Sequence, residues 1–419
     1  MNVKNKLTLF IFAVLYFSCS KNHKDILANV NGDVISLSKF KNSYQNFLIH
    51  KYQNDNLSNR YAYLNNLIDE KLILEYAKDN KLENDSSYIQ KTQEVYDQLL
   101  LNNYFDKKIN LDLSVTEAES RSVFQWGKTA IHVRHLFAKN INQINNIKSR
   151  LDRGESWNIL AEDCFQDSIL RINGGDLGWY NQGELDPVFE WNAFSLKIGE
   201  ISNPVRTRDG YSIIHLVETE YDGFIIEDEY QKKKKKLFDL VRNYKQQTRL
   251  LQFTDSTIST MDIEFNETVL DDLYNFLLSV GNENFEKIQN DKLISFEDEE
   301  WDVSESLNKL SNLSPDQLSR IKSISDLKQT IIGLTCRSKF LVDAVANKIY
   351  ETKPFKDNLS KQLDQTMIKK VVTNLNKKLN NDKVQDQKKI IENYFNFRKE
   401  LILTSNVKVD SLLLKTFIM

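Results

Sequence analysis

Asn173-Gly174-Gly175-Asp176-Leu177-Gly178-Trp179 is the run on which the reading of this chain turns. Glycine admits the left-handed backbone angles of tight turns, and seven of the chain's 12 glycines lie between Gly154 and Gly210. Working outward, residues 131–137 read as extended and 142–151 as a helix closed by Gly154. A second short helix follows at 157–164, a third at 187–196, and strands at 201–207 and 211–217 meet at Asp209-Gly210. The pattern predicts a compact α+β domain over residues 129–220.

Several pieces in this window stand in a recognisable order. They are Val133-Arg134-His135-Leu136, Gly174-Gly175-Asp176-Leu177-Gly178-Trp179, Phe189 with Ala193-Phe194, Gly199-Glu200-Ile201-Ser202, Pro204-Val205 and Gly210-Tyr211. The window resembles the parvulin-type peptidyl-prolyl cis-trans isomerases, especially the SurA/PrsA-like foldases of cell envelopes.

The resemblance implies a set of site residues. Leu177, Leu185 and Phe189 match the positions that seat the proline ring, and each is also what a small core would contain. His135 matches the histidine of the first strand, Asp167 the acidic or cysteine position opposite the twisting bond, and Thr207 a hydroxyl near the last turn. The family's second histidine, two residues after the glycine of that turn, is Ser212 here. His215 does not replace it, because an odd offset on a strand turns its side chain to the opposite face unless a bulge intervenes. Rotation about an X–Pro bond calls for no covalent nucleophile, metal or cofactor, and none is expected.

At the N-terminus, Lys4 and Lys6 precede an apolar run over 7–17 and then Ser18-Cys19. The layout is that of an export signal, too short for a comfortable membrane span. It resembles a bacterial lipobox, although Tyr16 and Phe17 are bulkier than usual, which makes Cys19 the expected lipidated residue. The resulting expectation is a lipoprotein of the cell envelope, on the periplasmic face of the outer membrane, with an uncleaved anchor or an ordinary signal peptide as the alternatives, either of which still exports the chain. Cys164 and Cys336 are too far apart to suggest a disulfide framework. Cys164 is read as packing the inner face of the second helix, since no His/Asn or His/Asp pattern makes it a nucleophile. No histidine spacing suggests a metal, and no glycine run carries the Lys-Ser/Thr pair of a phosphate loop.

Flanking the domain, 28–122 and 221–419 read as mainly helical. Hydrophobic runs around Asn31-Gly32 predict a hairpin, Ser36 a helix cap, and Thr116 with Glu119 a capping box. A net charge of -3, from 56 basic and 59 acidic residues in 419, provides no basic field for nucleic acid. The five lysines at 232–236 read as a solvated helix face beside Glu227, Asp228, Glu229 and Asp239, with an acidic-lipid contact as the alternative.

The region 221–419 also echoes 28–122. At an offset of 267, Leu64, Leu67, Leu74, Ala77 and Leu82 fall on Ile331, Leu334, Leu341, Ala344 and Ile349, and Ser36 and Ser38 answer to Ser304 and Ser306 one position further on. Asn103-Tyr104-Phe105 recurs as Asn393-Tyr394-Phe395. On this alignment a degenerate second module ends where another isomerase domain would begin; the alternative is that helical periodicity alone generates these coincidences.

These features divide the chain into a signal peptide (1–18), a lipidated tether (19–27), a helical chaperone region (28–122), a parvulin-like domain (129–220) and a helical region (221–419). The fold class is α+β, one parvulin-like domain inserted between mainly helical chaperone regions. The function expected is prolyl isomerisation with chaperone action on extended or unfolded exported proteins containing proline. The alternative is a non-catalytic holdase or assembly scaffold whose parvulin-like domain only binds peptide.

Overall fold

The computed structural model describes residues 25–109, 113–224, 226–278, 285–377 and 387–418. The expected leader and Cys19 lie outside the described residues. Contacts group the chain into two compact units, residues up to 98 with those from 353 onward, and residues 99–352. No described helix is long and apolar enough to cross a membrane.

In the first unit, β1 (Ile26–Val30) and β2 (Asp33–Ser36) pair antiparallel around Asn31 and Gly32, whose φ angles of 50° and 100° suit a two-residue hairpin turn. Ser36 caps α1 (Leu37–Lys51) by accepting from the Lys39 amide. Phe40, Tyr44 and Leu48, four residues apart, then bury one stripe of that helix with Leu27, Leu64 and Leu72. Next come α2 (Leu57–Asp79), a 3-10 turn at Leu82–Asn84, and α3 (Ser86–Ile109), which belongs to the second unit from Leu99 on.

The second unit contains the glycine-rich domain. Thr116 and Glu119 form the expected capping box at the start of α4 (Glu117–Trp126). The chain continues through β3 (Thr129–Ala138), α5 (Ile141–Asp152), α6 (Trp157–Cys164), α7 (Ser168–Ile172), β4 (Asp176–Tyr180), α8 (Pro187–Ser195), β5 (Val205–Thr207) and β6 (Gly210–Tyr221). The sheet order is β4-β3-β6-β5, with every neighbour antiparallel. Strand alternation sends Ile131, Val133 and Ile214 to a core with Phe189 and Ala193 of α8. Leu136 and Ile213 go to the other face, with Ile144 of α5 and Leu160 of α6.

Two of these elements are absent from the sequence reading, α7 and β4. The glycine run does not end as a turn; it leads into an edge strand. Gly174, Gly175 and Gly178 take φ of 75°, 71° and 84°. A Cβ on Gly175 would stand 2.1 Å from the His135 carbonyl oxygen, so β4 lies this close to β3 only because the residue is glycine.

Helix α9 (Glu227–Ile258) packs on α4 through Tyr230, Leu237 and Val241, and on α8 by stacking Tyr244 on Trp191 at 4.0 Å. In the lysine run, Lys233 pairs with Glu229 and Lys234 with Glu117, in keeping with a solvated, ion-paired face. After it come β7 (Glu264–Phe265), α10 (Glu267–Leu278), α11 (Phe285–Ile288), β8 (Lys292–Phe296), β9 (Glu299–Asp302), α12 (Val303–Leu310), α13 (Pro315–Leu318) and α14 (Ile324–Ala346). Strands β7-β8-β9 form a second three-stranded sheet within a region read as helical. The hairpin escapes notice because its left-handed residue is Glu297, φ 48°, where glycine or asparagine is usual.

A 3-10 turn at Ile349–Glu351 leads to α15 (Lys353–Lys377), α16 (Gln387–Thr404), β10 (Val407–Val409) and α17 (Ser411–Thr416), all in the first unit. There β10 completes the sheet β10-β1-β2, and Met367, Val371 and Phe397 cover Ile73 and Ala77 of α2. Arg398 Nε lies 2.7 Å from both oxygens of the buried Asp69. The regions 28–122 and 221–419 are thus each divided between the units.

Candidate functional site

The site lies on the α8 face of the four-stranded sheet. Directly opposed residues of antiparallel strands share a face, and β3 sets His135 against Ile214 and Phe137 against Ser212, while β5 sets Val205 against Ser212 and Thr207 against Gly210. His135 and Ser212 therefore meet: the imidazole Nδ1 is 3.2 Å from the serine Oγ. Ser212 is only 2% exposed.

Aromatic rings enclose the histidine, with Phe165, Phe189 and Phe137 centred 5.3, 5.6 and 6.3 Å from the imidazole. This apolar surrounding disfavours the charged form and holds the His135 pKa at about 4. At neutral pH the ring has one N–H donor and one acceptor nitrogen. Leu177, Leu185 and Phe189 share one apolar cluster with Val133 and Ile214, on the same sheet face as His135. Thr207, buried, donates from its hydroxyl to the Gly210 carbonyl across 3.1 Å.

Asp167 is not drawn into this hydrogen bonding. It is exposed and caps α7, its Oδ1 accepting from the Ile169 and Leu170 amides at 2.9 and 3.0 Å. His215 lies on the opposite face, where its Nδ1 accepts from Arg134 Nε at 2.8 Å beside the Trp157 ring. The register shift with β3 falls between His132 and Val133, where β6 carries the extra residue Val217, beyond both Ser212 and His215, so the odd offset keeps its meaning. Cys164 is half-buried against the α5/α6 core, and burial raises its thiol pKa, which disfavours a reactive thiolate.

Two supports have no signature in the sequence. His132 Nε2 lies 2.8 Å from Asp176 Oδ1, which also accepts from the Gly178 amide and so braces the glycine strand. Asp255, on α9, accepts from the Tyr211 hydroxyl at 2.7 Å and from Arg206 Nε at 3.0 Å, bracing the hairpin that carries Thr207 and Ser212. More than 40 positions separate Asp255 from either donor, so local patterns do not reveal the contact.

Residues 136–218 match the PPIC-type PPIASE domain family, and residues 6–112 match the SurA-like N-terminal domain family. The chain is 32% identical over 162 residues to "Foldase protein PrsA" of Geobacillus kaustophilus, covering 39% of this chain and 56% of that protein. It is 36% identical over 163 residues to "Parvulin-like PPIase" of Rickettsia felis, covering 37% and 56%. A crystal structure of PrsA from Bacillus anthracis aligns with 45% of this chain and 95% of its own at 28% identity, TM-score 0.24. The chain spans roughly half the length of the curated relatives it matches.

Proposed function

We propose, from the premise that this chain carries a PPIC-type parvulin domain together with a SurA-like N-terminal domain, that it is a peptidyl-prolyl cis-trans isomerase and chaperone for exported proteins. The observation that carries this reading is the pairing of His135 with Ser212 on the same sheet face as the apolar group Leu177, Leu185 and Phe189.

An X–Pro bond rotates over a barrier of about 18–20 kcal/mol because the twisted amide loses its resonance. The leucines and Phe189 receive the proline ring, and the rings around His135 exclude water from the twisting amide. His135 and Ser212, with Thr207 at the end of the strand, supply hydrogen bonds that suit the twisted amide better than the planar one. No covalent bond is made or broken, so a neutral His135 is the fitting protonation state.

A second reading, a domain that holds peptide without turning it over, is favoured by the place of Asp167 as a helix cap and by serine at the second histidine's position. The test is prolyl isomerisation of a proline-containing peptide by the chain starting at Ser20, beside His135→Ala. Turnover lost in the variant supports the enzyme. No turnover by the parent chain, with aggregation of an unfolded protein still suppressed, leaves the holdase.

In this reading the first 18 residues direct export and Cys19 carries a lipid that holds the protein at the periplasmic face of the outer membrane. The sequence pattern supports it. Radiolabelled palmitate should enter the protein in cells and be absent from Cys19→Ala; equal labelling of both would exclude the anchor.

A further inference from the structure

The hairpin at the start of the first unit and the hairpin β8–β9 of the second correspond residue by residue. Strands β1 and β2 stand 266 positions before β8 and β9 at every boundary. The register is shared: Val30 pairs with Asp33, Ala28 with Ile35 and Ile26 with Ser36, while Phe296 pairs with Glu299, Ile294 with Trp301 and Lys292 with Asp302. Each hairpin slips at the same step, between Ile26 and Ala28 and between Lys292 and Ile294. Each turns through one left-handed non-glycine residue, Asn31 at φ 50° and Glu297 at 48°.

The correspondence continues at 267 positions. Helix α2 answers to α14 at both ends, and the 3-10 turn at Leu82–Asn84 answers to that at Ile349–Glu351. Lys81 and Lys348 precede the turns with φ 54° in both and ψ of 36° and 34°. Asn56 and Ser323 cap the paired helices through the amides of Asn59 and Asp326. Helical periodicity reproduces apolar stripes, but it has no bearing on hairpin register, a strand slip or isolated left-handed residues.

Each sheet also receives its third strand from a segment distant in the chain, β10 following β1–β2 and β7 preceding β8–β9. The Asp410 amide donates to the Leu27 carbonyl and the Asn266 amide to the Leu293 carbonyl, both at 2.9 Å. Asp410 and Asn266 then accept from the Leu413 and Val269 amides as the next helix starts. Leu414 and Leu270 are fully buried behind them. Helices α9 and α16 hold matching places before these strands: Phe253 stacks on Phe340 in one unit, and Phe397 clusters with Ile73, the counterpart of Phe340, in the other.

We propose that the chain is an internal duplication of one SurA-like module, in which residues 292–418 are the second copy and only the first copy carries an inserted isomerase domain. Between α3 and the α9 counterpart of α16 lies the whole glycine-rich domain; between α15 and α16 lie only residues 378–386. The point equivalent to the insertion is therefore inside the chain, not at its end. Three details of the sequence alignment change with it. Ser36 answers to the cap Asp302 and not to Ser304. Ser38 likewise answers to Ser304 and not to Ser306. The repeated Asn-Tyr-Phe lies on α3 and α16, which are not counterparts. The helical framework is complete without the isomerase domain, and this inference does not rest on catalysis.

The test uses two variants of the whole chain. In one, residues 111–242 are replaced by the chain's own 378–386, copying the junction of the second repeat. In the other, 264–273 and 408–417 exchange places, with the isomerase domain untouched. Helical circular dichroism and thermal unfolding are measured for both, with peptide turnover recorded separately. A single cooperative transition in either variant, with both hairpins still protected in hydrogen exchange, is the expected result. Loss of cooperative unfolding in both would overturn the duplication. Turnover absent from the parent chain would count against the isomerase reading alone.

Discussion

Ser212 and His135 meet through a 3.2 Å contact between Oγ and Nδ1, the serine on β6 and the histidine on β3. The pair joins two strands at a position screened from solvent, so its members should act together. Ser212→Ala is expected to lower kcat/KM about tenfold, corresponding to about 1.4 kcal/mol. His135→Ala should cost at least as much. The double variant should fall short of the sum by about 1 kcal/mol. Additive losses in a double-mutant cycle would mean that the hydrogen bond does not matter to turnover.

Burial keeps His135 neutral down to pH about 4, against an ordinary 6.5. Unfolded, the ring takes up its proton near 6.5; folded, only near 4. Between those values the unfolded chain binds more protons, so stability falls as the pH falls and this component levels off below 4. It amounts to roughly 3 kcal/mol at most. Urea unfolding at a series of pH values should show a shallower slope over this window for His135→Gln. Parallel slopes would place the acid sensitivity elsewhere.

Gly175→Ala should disrupt the site from outside it. The new Cβ would meet the His135 carbonyl oxygen at 2.1 Å, at a φ of 71° that alanine rarely adopts. Strand β4 must then move off β3, weakening the 2.9 Å bond from the His135 amide to the Gly175 carbonyl. A loss of about 2–4 kcal/mol is expected from strain and the displaced strand together. Thermal unfolding checks it, and an unchanged Tm would show that β4 is free to shift.

Asp167 offers a way to separate a helix cap from a catalytic acid. Asp167→Asn keeps an oxygen for the Ile169 and Leu170 amides, so stability and turnover should both hold. Asp167→Ala should cost about 1 kcal/mol. Turnover lost in Asp167→Asn at unchanged Tm would instead assign the carboxylate to the reaction.

The brace from Asp255 to Tyr211 and Arg206 predicts that Asp255→Ala loosens the β5–β6 hairpin. The groups are partly exposed, so the expected cost is only about 1 kcal/mol. Hydrogen exchange should quicken at Thr207 and Ser212 before it does in β3. Uniform quickening would mean that the brace serves the whole domain.

Much of the glycine-rich domain was legible in the sequence. The helices at Trp157–Cys164 and Pro187–Ser195 form where the sequence reading puts them, Asn31-Gly32 makes its turn, and Thr116 makes its box with Glu119. So was the exclusion of His215 from the site, since alternation along a strand is a local rule. The strand β4 was hidden because three left-handed glycines are as compatible with a loop as with a strand held close to its neighbour. The β8–β9 hairpin was hidden because Glu297 occupies a turn position with no side-chain preference for it.

The sequence by itself determined the elements whose causes lie within a few residues: caps, turns, helix stripes and the order of motifs that mark the isomerase-like domain. These depend on dihedral preferences and hydrogen bonds between near neighbours, which residue identity sets directly. Only the tertiary structure decided that Asp255 braces Tyr211 and that β10 and β7 complete equivalent sheets. Those facts depend on which surfaces meet, and Leu27 finds Asp410 only because buried apolar area and paired backbone groups outweigh the entropy of joining segments far apart in the chain.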